Sequence, residues 1–194
     1  TTGFTIFGAT AGEDAGTSVA GVGDVNEDGV DDVIVGSEQF GTTPNPGRAD
    51  VIFGTPSAGT PADINLSALG AAGVTFTGSA DGDQAGEWVA PAGDFNDDGT
   101  PDFVIGAPEG DAGGANSGSV YVIFGSDTIA DGTLGSLAGG AGIEISGAAA
   151  GDDTTLRGVK WAFTWVAAGY FASALSVMLT FPAGSSRDRA VAAR

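Results

Sequence analysis

A ten-residue segment, Gly23-Asp-Val-Asn-Glu-Asp-Gly-Val-Asp-Asp32, recurs 70 residues later as Gly93-Asp-Phe-Asn-Asp-Asp-Gly-Thr-Pro-Asp102. Both copies read D-x-N-x-D-G-x-x-D, and both run directly into an apolar stretch, Val33-Ile-Val-Gly36 and Phe103-Val-Ile-Gly106. A carboxylate or amide at alternate positions followed by a glycine lets a chain curl around a hard cation and present oxygen atoms to it. Recurrence at so long an interval marks a repeat protein with one metal loop per repeat.

Other markers keep the same register. Gly3-Phe-Thr-Ile6, Gly73-Val-Thr-Phe76 and Gly142-Ile-Glu-Ile145 are one strand in three copies. Each is followed by an acidic turn: Gly12-Glu-Asp14, Gly82-Asp-Gln84 and Gly151-Asp-Asp153. Alternating segments come next, Ala15 to Ala20 and Ala85 to Ala90, suited to half-buried strands. The loop and apolar strand follow, and each unit closes on Val-Ile-Phe-Gly, ending at Gly54 and Gly125.

Four short strands per unit describe an all-β fold built from four-stranded antiparallel meanders. One such sheet cannot bury both faces alone, so it must stack on neighbours. A radial β-propeller does this while protecting the sheet edges, and a linear β-solenoid fits less well because its period is usually shorter.

Composition narrows the chemistry. The 194 residues contain no cysteine and no histidine, which removes disulfides, thiolate or imidazole metal sites and every nucleophile–histidine arrangement. Oxygen-preferring Ca²⁺ or Mg²⁺ remain. The net charge of −19 is unevenly spread: residues 1–153 hold 24 of the 25 acids and a single base, Arg48. So acidic a body repels nucleic acid and, without bound cations, itself. The chain opens Thr1-Thr-Gly-Phe without methionine, as a mature product or a fragment would.

The two loop-and-strand segments, 23–36 and 93–108, resemble FG-GAP repeats, the units of the integrin α-subunit propeller and of many bacterial surface proteins. Gly106-Ala107-Pro108 stands as the "GAP"; the first copy has Gly36-Ser37-Glu38, and the "FG" positions are Ala15-Gly16 and Ala85-Gly86. The resemblance covers roughly residues 1–153. It implies a seven-bladed propeller with Ca²⁺ in the hairpin between the first two strands of a blade. On that register the chain supplies a trailing outer strand (3–8), one blade (about 16–78) and a second (about 86–147). Two blades do not close a ring, so further repeats, a second copy or some other cover must meet the open edges.

Within each loop the first, third, fifth and ninth side chains are the expected ligands: Asp24, Asn26, Asp28 and Asp32, then Asp94, Asn96, Asp98 and Asp102. Val30 and Thr100 would offer backbone carbonyls, giving two Ca²⁺ ions, one per repeat. An EF-hand would need a bidentate glutamate at the twelfth position, where Val35 and Ile105 stand instead. The competing reading is a plain Asx-rich turn without metal. Two copies, each with at least three carboxylates in nine residues, favour the cation, and Mg²⁺ fits less well because it demands a rigid octahedron. Glu13, Asp14, Asp81, Asp83, Asp152 and Asp153 form a separate recurrent turn, read as solvated. Trp88, opposite Ser18 of the first copy, reads as blade packing rather than a sugar platform.

The tail, 154–194, departs from the pattern. Residues 161–181 carry no charge and hold two of the three tryptophans. Three readings stand side by side: a membrane-spanning helix, a helix capping the open blade edge, or sequence altered by a shifted frame or junction. Self-association through the blade edges is a further expectation.

The expected function is a non-enzymatic calcium-binding module of an extracellular or cell-surface protein, for adhesion or for recognition of a protein or glycan, without nucleic acid. Membrane association would follow only from a genuine anchor at 161–181. One alternative is a propeller segment accompanying an extracellular hydrolase or lyase whose catalytic domain lies outside this sequence. Another is a truncated or frame-altered product without independent function.

Overall fold

A computed structural model of the chain describes residues 3–38, 46–56, 62–137 and 140–148. The tail 154–194, the acidic turn at 151–153 and part of the variable connection, 39–45, lie outside the described residues.

The described chain is a succession of short strands: β1 (Ile6–Phe7), β2 (Ser18–Gly23), β3 (Asp32–Ser37), β4 (Arg48–Ile52), β5 (Ile64–Asn65), β6 (Gly73–Thr77), β7 (Trp88–Gly93), β8 (Asp102–Ala107), β9 (Ser119–Ile123), β10 (Gly132–Thr133) and β11 (Gly142–Ser146). Two 3₁₀ turns, Leu66–Ala68 and Gly70–Ala72, precede β6. Strands β2, β3, β4 and β6 pair antiparallel in chain order, and β7, β8, β9 and β11 repeat that order. These are the two meanders expected from the sequence.

Alternation along β3 explains why the sheets stack. Ile34 joins a core shared with the second sheet, while its neighbour Val35 turns to the opposite face, against Ile52 and Leu66. Ile34 and Val35 are buried on opposite faces of the strand, which is why the run is apolar without alternation. The shared core also takes Val51 and Phe76 from the first sheet and Phe103, Ile105, Tyr121 and Ile123 from the second. The Phe76 and Phe103 rings meet edge to face, 5.7 Å apart at 65°. On the face of the first sheet turned away from the second, Val19 and Val33 are 63% and 40% exposed, so the sheet is apolar on both sides but covered fully on one.

Two short parallel pairings were not legible in the sequence. β10 adds to β6 with Gly132 opposite Phe76, so the first sheet gains a fifth strand from the second unit. β1 pairs with β5 in the same sense, Ile6 opposite Ile64. In each case the segment ahead of a sheet's outer strand reaches back to the outer strand of the sheet before. β1 therefore occupies the place of an outer strand belonging to a preceding sheet. It is shorter than the expected 3–8.

Among the described residues no helix is long and apolar enough to cross a membrane.

Candidate metal centre

Each loop joins the first two strands of its sheet. Just before it, the pairing slips by one residue, between Gly21 and Gly23 in the first sheet and between Pro91 and Gly93 in the second. A bulge at that point bends the strand and re-aims it into the loop. The twelfth loop positions, Val35 and Ile105, lie in β3 and β8, so the EF-hand geometry is absent.

The two loops then follow the same course. The Asp28 amide donates to Asp24 Oδ1 at 2.9 Å and to Asn26 Oδ1 at 3.2 Å, and the Gly29 amide to Asp24 Oδ2 at 2.9 Å. Asn26 Nδ2 reaches Asp28 Oδ2 at 3.0 Å, and the Val30 amide reaches Asp28 Oδ1 at 2.9 Å. The second loop repeats each bond: Asp98 N–H to Asp94 and Asn96 at 3.0 and 3.1 Å, Gly99 N–H to Asp94 at 2.9 Å, Asn96 to Asp98 at 2.7 Å, and Thr100 N–H to Asp98 at 2.9 Å. Gly29 and Gly99 sit at φ 92° and 98°, a conformation that glycine adopts without a Cβ penalty. The first, third and fifth side chains are thus gathered on one side of each loop. The amides of Asp98's neighbours act on its charge: the Thr100 amide first, then Asn96, hold its carboxyl below the ordinary value.

The ninth residue is placed differently. Asp32 is 1% exposed; its Oδ2 accepts the Val25 amide at 2.9 Å and its Oδ1 the Gly54 amide at 2.8 Å. Asp102 is fully buried and accepts from Phe95 at 2.6 Å, Asn96 at 3.3 Å and Gly125 at 2.9 Å. Burial raises both carboxyls, the amides oppose it, and the neighbouring loop carboxylates push them up further. These two aspartates therefore tie the loop to the end of the third strand, where the recurrent Phe-Gly pairs, Phe53-Gly54 and Phe124-Gly125, supply the amides. The repeated Val-Ile-Phe-Gly was the sequence signal for that anchor.

The donors fit a hard cation by chemistry, since every one is an oxygen atom and none is nitrogen or sulfur. Among the described residues no three carboxylates are gathered in a metal-holding arrangement. The reason is local: the third donor is an amide, Asn26 or Asn96, and the ninth carboxylate turns inward to backbone amides. A carboxylate oxygen that accepts one N–H retains a second lone pair, so both oxygens of Asp32 and Oδ1 of Asp102 keep a lone pair for a cation, while Asp102 Oδ2 takes both the Phe95 and Asn96 amides.

The separate acidic turn differs from its sequence reading. Asp14 and Asp81 are exposed, but Glu13 and Asp83 are buried, 2% and 1% exposed. Glu13 accepts from the Ala9 amide and from the Thr10 amide at 3.0 Å; Asp83 accepts from Ser79 Oγ at 2.6 Å and the Ala80 amide at 2.8 Å. Each acid braces its own turn. Trp88 packs with Phe95, Phe124 and Ile145 against Val104, Val120 and Val122, as a strand aromatic does.

Comparison with known proteins matches the same two units. The model of the FG-GAP repeat matches residues 15–52 and 85–123. Phosphatidylinositol-glycan-specific phospholipase D of Mus musculus is 34% identical over 109 residues, which are 53% of this chain and 12% of that protein. The chain thus spans only a small part of the length of this relative. Each matched segment begins just before the first strand of one sheet and ends at the close of its third strand, so each of the two sheets carries an FG-GAP repeat.

Proposed function

We propose that the chain is a Ca²⁺-stabilised pair of propeller blades from an extracellular or cell-surface protein, serving adhesion or the recognition of a protein or glycan without catalysis of its own. The observation that carries this reading is the bond-for-bond identity of the two loops, each gathering Asp, Asn and Asp at alternate positions around one amide. Asp24, Asn26, Asp28 and Asp32 would hold one ion with the Val30 carbonyl; Asp94, Asn96, Asp98 and Asp102 the other with that of Thr100. An ion supplies positive charge inside a body that is strongly acidic through residue 153. Binding only to the folded state, it stabilises the blades by mass action. Extracellular millimolar calcium suits even weak sites.

Calorimetric titration of the 194-residue chain with Ca²⁺, paired with thermal unfolding in Ca²⁺ and in chelator, tests the proposal. Two ions per chain and a higher melting temperature in Ca²⁺ are expected, with one ion lost in Asp28→Ala and in Asp98→Ala. No binding at millimolar Ca²⁺ refutes it.

A second reading draws on the relative named above, a phospholipase: the blades would be a non-catalytic part of a larger extracellular hydrolase. A catalytic domain in the full-length reading frame decides for this reading, and its absence for the first.

A further inference from the structure

Though 70 residues apart in sequence, the two loops touch, because the stacked sheets bring the start of β8 beside the end of β2. Thr100 Oγ1 donates to Glu27 Oε1 at 3.0 Å. Glu27 is the fourth residue of the first loop, between Asn26 and Asp28; Thr100 is the seventh residue of the second, and its amide donates to Asp98. The Glu27 backbone sits at φ 61°, a conformation uncommon for such a residue, and Asp97 at the matching position of the second loop shares it.

A second route runs through the peptide of Val25. Its N–H is held by Asp32, the ninth residue of the first loop, at 2.9 Å. Its carbonyl accepts the Ser126 amide, also at 2.9 Å. Ser126 follows Gly125, whose amide donates to Asp102, the ninth residue of the second loop. The two inward carboxylates are thereby joined through one peptide of the first loop and one turn of the second sheet. Both routes connect residues at or next to candidate donors, and they are independent of each other.

The connection is also directional. Val30, at the position of Thr100, has no hydroxyl, and Asp97, at the position of Glu27, is shorter by a methylene. A donor on the following loop and a long acceptor on the preceding one make a link from the first unit to the second.

We infer that the two loops bind their ions cooperatively, with Glu27–Thr100 and Val25–Ser126 as the coupling contacts. The inference rests on the Ca²⁺ reading above. An ion in the first loop fixes Asn26 and Asp28 on either side of Glu27 and holds Asp32 against Val25. Thr100 and Asp102 are then ordered in part before the second ion arrives, and less conformational freedom remains to be lost there. Linkage requires the effect to be equal in both directions.

Calorimetry of the full chain with Ca²⁺ alone reads the coupling. The wild-type curve should require a second binding constant larger than independent sites allow. Asp28→Ala should weaken the remaining second site by about fivefold or more, and Asp98→Ala should weaken the first by the same factor. Glu27→Ala should reduce the coupling, whereas Glu27→Gln, which also loses the charge but keeps an acceptor oxygen for Thr100, should retain it. Two ions bound with independent constants overturn the coupling and leave the Ca²⁺ reading standing. Cooperativity undiminished in Glu27→Ala overturns the assignment to that contact. No binding overturns both readings together.

Discussion

Gly36 of β3 lies against Gly86, at the start of the next unit, so closely that a Cβ on Gly36 would overlap the Gly86 carbonyl oxygen. Gly86 in turn sits at φ 88°, and a Cβ there would overlap the Arg48 carbonyl. The two sheets thus meet backbone to backbone at this point. Gly36, at the end of the first apolar strand, and Gly86, ahead of β7, are the spacers for that approach, whereas a Cβ on Gly16, the counterpart of Gly86, would meet nothing within 4 Å.

Gly106 occupies the same motif position as Gly36, but a Cβ there would meet only Trp88, at an ordinary 3.4 Å. Gly36→Ala should therefore destabilise the chain by about 3 kcal/mol or more through overpacking and backbone displacement. Gly106→Ala should change stability by less than about 1 kcal/mol. Urea unfolding of both variants measures the contrast; equal effects would show that the glycines serve the strand itself and not the contact between sheets.

Asp102 accepts the amides of both Phe95 and Gly125. Asp102→Ala takes this acceptor from the buried Gly125 amide and from the half-buried Phe95 amide, and a buried donor that loses its acceptor costs about 1–3 kcal/mol. A loss of roughly 3 kcal/mol is expected in chelator, where no ion contributes, and Asp32→Ala should behave alike. A loss below about 0.5 kcal/mol would mean that the aspartates matter only as ligands.

Arg48 and Asp50 form a buried ion pair on the face of β4 turned away from the second sheet, with Arg48 Nε donating to Asp50 Oδ2 at 2.7 Å and Thr75 Oγ1 donating to Asp50 Oδ1 at 2.6 Å. The matching positions of β9 are Ser119 and Tyr121, so the blade architecture does not depend on the pair. Arg48→Met should cost about 3–5 kcal/mol by stranding the aspartate, while Arg48→Met combined with Asp50→Leu should recover most of it. A double variant no more stable than the single one would show that the pair is needed for the packing of β4.

Asp50 also carries a pH dependence. Burial raises its carboxyl above 3.8, the bonds from Arg48 and Thr75 oppose the shift, and the charge of Glu13 adds to it. The folded chain therefore holds this proton more tightly than the unfolded one. The stability it contributes is complete below the ordinary value and is lost as pH rises through the folded-state value. A carbon-detected NMR titration should place the Asp50 midpoint above 3.8. A midpoint at or below it would show that the guanidinium outweighs desolvation.

The strands and loops were legible because they rest on local chemistry. Alternation at Ser18–Gly23 and Trp88–Gly93, the apolar runs of β3 and β8, and the Asx-rich turns each carry a signal within a few residues. The paired loops and their shared spacing identified the repeat, and the resemblance named its family. The buried places of Glu13 and Asp83 were not legible, since an acid in a Gly-rich turn looks the same whether it faces water or its own amides.

By itself, then, the sequence determined a repeated all-β unit with an acidic loop after each inner strand, because those features are set by residues near one another along the chain. Only the tertiary structure decided which contacts join the units: the meeting of Gly36 with Gly86, the parallel additions of β5 and β10, the inward turn of Asp32 and Asp102, and the reach of Glu27 to Thr100. Each of these links residues tens of positions apart or depends on the direction of a side chain. Such partners are chosen by how two apolar sheet faces stack, and a stacking distance has no local signature in the chain.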